Sequence, residues 1–112
     1  SNENTFNVDL RAPVVSLTAP ADDATIADDT PTFTGVGAVT NGADAEIRVE
    51  IYSGTSTAGT LVQTLTATRN SSTGAYSVTV ADASKLANGT YTAQAEQSTV
   101  SGNTGYSPTA TF

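Results

Sequence analysis

The chain has 112 residues, 11 carboxylates against 4 basic side chains, a formal net charge of -7, and no cysteine, histidine, methionine or tryptophan. That length fits one domain with a modest core, and the inventory excludes disulfides, histidine-assisted nucleophilic catalysis and the preferred ligands of transition metals. The negative charge argues against nucleic acid and anionic membranes as partners and favours a soluble monomer that repels its own copies. No apolar run approaches the roughly 20 residues of a membrane-spanning helix.

Residues 1–11 read as a tail or linker, with Ser1-Asn2 resembling a remnant of cloning and no signal-peptide pattern ahead of it. Pro13 biases its neighbourhood to extended backbone. A first strand is predicted over 14–18, with Val15 and Leu17 on one face, then a break at Pro20, Asp22 and Asp23 and a short second piece at 25–27. A strand over 32–38 carries Phe33 with Gly35 and Gly37 on one face, so Phe33 is its large core anchor. Ile47, Val49 and Ile51 alternate with Arg48, Glu50 and Tyr52, the clearest period of two in the chain, and the first three must be core.

Residues 61–68 form a fourth strand with apolar residues on both faces, which leaves its register open. Tyr76, Val78 and Val80 share the inner face of a fifth. Residues 81–86 have room for one helical turn, with Asp82 as its expected N-cap. Asn88-Gly89 turns the chain into a sixth strand in which Tyr91, Ala93 and Ala95 alternate with Thr92, Gln94 and Glu96, and a last strand closes at Thr111-Phe112. Threonine, about one residue in five, suits this all-β reading because its branched Cβ packs on a pleated surface. Seven short strands with turns at regular spacing are the pattern of a two-sheet β-sandwich.

The phrase Leu86-x-x-Gly89-x-Tyr91-x-Ala93 resembles the tyrosine corner of immunoglobulin-like domains, with Ala93 where antibody domains place a disulfide cysteine. The runs Ala12-Pro13-Val14-Val15-Ser16-Leu17, Pro20-Ala21 and Asp28-Asp29-Thr30-Pro31-Thr32-Phe33-Thr34-Gly35, with the closing Asn88-Gly89-Thr90-Tyr91, are similar to bacterial Ig-like repeat domains of large adhesin-type surface and secreted proteins. The resemblance covers residues 12–112 and implies an Ig-like Greek-key sandwich with its corner at Tyr91. Asn4-Thr5-Phe6 echoes Ala110-Thr111-Phe112; from position 6 to position 112 the offset is 106 residues, about one such domain. Residues 1–11 then read as the end of a preceding repeat.

Calcium is the ion this composition suits, since hard cations take carboxylate and carbonyl oxygens. In an Ig-like frame Asp22, Asp23, Asp28, Asp29 and Asp82 gather at one end, and Asp9, Asp44 and Asn103 at the other. Related adhesin domains use an Asp-x-x-Gly-Asn loop; here Thr99 stands in place of the aspartate before Gly102-Asn103. The same loop residues also serve as turn formers and solubilising charges. No cofactor is required. Lys85 lies in a polar connection, unlike the buried lysine of an isopeptide bond, and Asn70 and Asn88 match the glycosylation acceptor pattern at ordinary turns. Tyr52 and Tyr106 are the rings left for a glycan or receptor. The expected function is a non-enzymatic stalk or spacer repeat, extracellular or at the cell surface, whose partners are neighbouring repeats. The alternatives are a glycan- or receptor-binding module and an accessory domain of a secreted polysaccharide hydrolase.

Overall fold

Among the described residues, seven antiparallel strands in two sheets take up the alternating stretches: β1 (Thr32–Val36), β2 (Glu46–Ser53), β3 (Leu61–Thr68), β4 (Ala75–Thr79), β5 (Tyr91–Ser98), β6 (Thr104–Tyr106) and β7 (Ala110–Thr111). The computed structural model describes residues 13–23, 25–27, 29–39, 42–100 and 102–112, so the expectations placed on residues 1–11, Asp9 and Asp28 lie outside it. One sheet pairs β1 with β4; the other runs β3-β2-β5-β6, with β7 also on β5.

The predicted strand over 14–18 is an extended segment bonded to the free side of β1. Ser16 N–H donates to the Val36 carbonyl at 2.8 Å and Thr18 N–H to that of Thr34 at 2.7 Å. Val15 faces the core and Val14 faces solvent, as their alternation requires. Residues 25–27, expected to form a short strand, are exposed and outside any strand.

The core fills the space between the sheets. Val15, Phe33, Tyr76 and Val80 meet Ile47, Val49, Ile51, Ala93 and Ala95 across it. The small residues are placed by sterics. A Cβ on Gly35 would collide with the Ser16 carbonyl and the Tyr76 ring, and the Tyr76 hydroxyl donates to that same carbonyl. Burial pushes the Tyr76 phenol well above its ordinary range, so it remains a neutral donor. Gly74, at φ +81, makes the turn into β4 where a side chain would strike the Gly37 carbonyl.

The structure resolves the ambiguous register of β3. Gln63, Leu65 and Ala67 are half-buried on the inner face, whereas Thr64, Thr66 and Thr68 are exposed. Ile51 sits opposite Gln63 and Tyr52 opposite Leu61, so Val62 is an extra residue in a bulge. That bulge lets apolar residues occur on both faces at the start of the strand.

Two expectations need correcting. Asp82 is not an N-cap: it opens a three-residue 3-10 turn, Asp82–Ser84, whose cap is Ala81 without a side-chain hydrogen bond. A single turn closed by Ser84 N–H on the Ala81 carbonyl needs no side-chain acceptor. Thr92, assigned by alternation to the outward face of β5, is fully buried. Its hydroxyl donates to the Gly54 carbonyl at 2.9 Å and lies 3.0 Å from the Thr111 hydroxyl, so the neighbouring loop and β7 cover it.

Candidate functional site

Among the described residues, Asp22, Asp23, Asp29 and Asp82 lie toward the Tyr91 end of β5, and Asp44 and Asn103 toward its Ser98 end. Near Tyr91, Asp22 accepts from Thr111 N–H at 2.9 Å and Asp23 N–H donates to the Thr111 carbonyl at 2.7 Å, with Asp23 at φ 63. The Asp29 carbonyl accepts from Leu86 N–H at 2.8 Å, and Asp82 stands in the 3-10 turn. Near Ser98, Asp44 N–H donates to the Ser98 carbonyl at 2.9 Å, and the Asn103 carbonyl accepts from Thr99 N–H at 2.8 Å. Among the described residues no three acidic side chains converge closely enough to share one ion. Asp22 holds the chain to β7, and the backbones of Asp23, Asp29 and Asp44 hold neighbouring segments together.

A polar cluster that sequence reasoning did not assemble lies on the outer face of the larger sheet. Arg48 sits opposite Glu96 across β2 and β5, Glu96 opposite Tyr106 across β5 and β6, and Glu50 opposite Gln94. The Arg48 Nε donates to Glu96 Oε1, and a second guanidinium nitrogen lies 3.7 Å from Glu46. The hydrogen bond that Arg48 donates to Glu96 first, and the surrounding carboxylates after it, raise the guanidinium pKa. Partial burial raises the Glu50 carboxyl, and the nearby Glu96 charge adds to this. Burial and the Glu50 charge raise the Tyr52 phenol. The signal available in the sequence was the even-numbered parity of Arg48, Glu50, Tyr52, Gln94, Glu96 and Tyr106, which strand pairing turns into one surface.

This cluster has a pH consequence. Because the folded-state pKa of Glu50 lies above its unfolded value, the folded protein binds the more protons in between. Stability from this group is full below the unfolded pKa and declines as pH rises through the folded one. Glu50→Gln is therefore expected to raise the melting temperature at pH 7 and to leave it unchanged near the unfolded carboxylate range, about pH 4. Melting curves at both pH values check it; an equal effect at both would reject the assignment.

At the Tyr91 end a groove of about 560 Å³ lies between residues 25–27 with Asp29 and the turn before β5, with Ile26, Leu86, Tyr91 and Phe112 among its lining. The Tyr91 hydroxyl donates to the Ala87 carbonyl at 2.8 Å, and Tyr91 and Phe112 exchange both backbone hydrogen bonds. Removing the hydroxyl with Tyr91→Phe is expected to cost about 1 kcal/mol, the usual net value of one hydrogen bond. A urea midpoint equal to that of the parent chain would show that this bond does not stabilise the turn.

No protein-family model matches this chain, and no curated protein is significantly similar to it in sequence.

Proposed function

We propose that this chain is an immunoglobulin-like structural repeat, a stalk or spacer unit of an adhesin-like bacterial protein that is secreted or displayed at the cell surface. The observation that carries this reading is the placement of Pro13 and Phe112. Pro13 lies against Gly105, which pairs with Gln97 near one end of β5, and Phe112 pairs with Tyr91 at the other. Copies joined in series through such points would extend rather than fold back. The strand order supports an Ig-like Greek key, because the connections β1-β2, β3-β4 and β4-β5 all cross between sheets. The Tyr91 hydroxyl on upstream backbone supports a tyrosine corner that works without a disulfide. The unit's role is architectural and involves no catalytic step. The experiment is to sequence the parent gene on both sides of this segment. Similar copies at a period near the offset of 106 between Phe6 and Phe112 would support the stalk; a single copy beside a catalytic domain would overturn it.

A second reading rests on the shared face of Tyr52 and Tyr106. Tyr106 is 57% exposed and shares that face with Glu50 and Glu96. Rings that stack on sugar C–H faces beside acceptors for hydroxyls suit a neutral glycan. A glycan array repeated with Tyr52→Ala and Tyr106→Ala tests it: loss of a parent-chain signal supports binding, and an array blank with the parent chain rejects it.

A further inference from the structure

We propose that the free edge of β3 is a pairing surface for a second copy of this chain, joined antiparallel through backbone hydrogen bonds. A sheet edge presents a row of unpaired N–H and C=O groups, and folded proteins usually blunt it with short strands, proline, charge, a bulge or a covering segment. Three of the four edges here are blunted. β4 has only five residues. The segment bonded to β1 carries Pro13 and Pro20. The β6/β7 edge is broken at Ser107-Pro108, backed by Pro13 at Gly105 and covered by Asp22 and Asp23 at Thr111.

β3 is different. Among the described residues it pairs with β2 alone. Its eight residues contain no charge, proline or glycine. The bulge at Val62 and the Gln63 side chain, which donates to the Ser84 carbonyl at 2.6 Å, occupy its first part. That leaves residues 64–68, Thr-Leu-Thr-Ala-Thr, as a straight run of good strand formers on an open edge.

A second copy is the occupant that fits by charge and by register. Each molecule carries -7, but none of that charge lies on β3 itself; on the adjacent β2, Arg48 beside Thr66 stands between Glu46 beside Thr68 and Glu50 beside Thr64. In a continuous sheet, opposed residues must point to the same side. Pairing β3 with itself therefore sets outward threonine against outward threonine: Thr64 faces Thr68, and Thr66 faces its counterpart on the two-fold axis. Thr–Thr pairs are favourable across antiparallel strands, and identical antiparallel edges are self-complementary. The edge is short, so the affinity is modest. Long-range repulsion opposes approach until salt screens it, so association strengthens with ionic strength.

The test is sedimentation equilibrium of the parent chain and of Thr66→Lys, Thr64→Lys and Thr66→Ser at low and high salt. The expected result is reversible dimerisation at sub-millimolar concentration that tightens with salt. Thr66→Lys is expected to weaken it at least about tenfold, even though it lowers the net negative charge, because the two lysines then face each other across the two-fold axis. Thr64→Lys, which faces Thr68 of the other copy and stands beside Glu50, is expected to have a smaller effect. Thr66→Ser is expected to dimerise like the parent. Both positions are solvent-facing, and unchanged circular dichroism and urea midpoints would show that lost association is not lost folding. A parent chain that stays monomeric at high salt, dimerisation that weakens with salt, or a Thr66→Lys variant that dimerises as well as the parent would each overturn the proposal. So would a parent chain that stays monomeric yet captures an unrelated extended peptide at this edge.

Discussion

Substitution of Gln97 by leucine is expected to destabilise the protein by about 3–5 kcal/mol, although it preserves much of the side chain's volume and removes a polar group from the interior. Gln97 is fully buried on β5. Its Oε1 accepts from Ala38 N–H at 2.7 Å, and its Nε2 donates to the Ala38 carbonyl at 2.9 Å and the Asp44 carbonyl at 2.8 Å. One side chain therefore satisfies three backbone groups of the connection between β1 and β2. Leucine leaves all three without a partner, and each buried orphan costs about 1–3 kcal/mol, reduced where the connection can move to reach water. Urea unfolding should show a lower midpoint at an unchanged slope. Hydrogen exchange should show faster exchange at the Ala38 amide. A loss under about 1 kcal/mol would mean that the connection re-forms without the glutamine.

Phe33→Ala is the second large effect, also about 3–5 kcal/mol, by a different mechanism. Phe33 has no exposed surface, and its ring meets Phe112 edge-on at 5.7 Å and 62°. Among the described residues, the buried side chains on the smaller sheet's side of the cluster are Val15, Phe33, Tyr76 and Val80, with Leu17 and Val78 partly buried beside them. The facing Ala93 and Ala95 are too short to fill the space that Phe33 would vacate. A cavity therefore remains, and its cost adds to the lost transfer energy. With roughly 4–8 °C per kcal/mol for a domain of this size, the melting temperature should fall by about 12–40 °C. Phe112→Ala should cost less, because Phe112 is only half-buried. Equal effects of the two substitutions would place the energy in the ring pair rather than in the cavity.

How much of this was legible in the sequence follows from the kind of signal each feature leaves. Ile47, Val49, Ile51 and Phe33 were legible because burial on one face of a strand writes a period of two into the chain. β3 kept its register hidden because one bulge residue, Val62, shifts the parity near its start. Gln97 extends the buried row of Ala93 and Ala95, but an amide at that position looks like a solvent-facing residue unless its three backbone partners are known. Thr92 was assigned outward because alternation cannot foresee that β7 and the loop at Gly54 would cover that face. For the described loop carboxylates, strand order alone decides which turns are neighbours and so which end of the fold each occupies. Their local roles were not legible, because the same aspartate serves a turn, a cap or an ion equally well in sequence. The Arg48, Glu50 and Glu96 cluster depends on how β2 is paired with β5, a long-range relation that no short motif encodes.

The arrangement of Pro13 and Phe112 also bears on how the molecule would respond to mechanical tension. A force drawing those two points apart acts along the strands, across hydrogen bonds that lie perpendicular to it. The bonds from Ser16 and Thr18 to β1, and the reciprocal pair between Tyr91 and Phe112, are then sheared together instead of being peeled one at a time. Rupture in that direction requires several of them to break at once, whereas lifting the 14–18 segment sideways would open them in succession. The resistance of the fold is thus directional, greatest along its long axis.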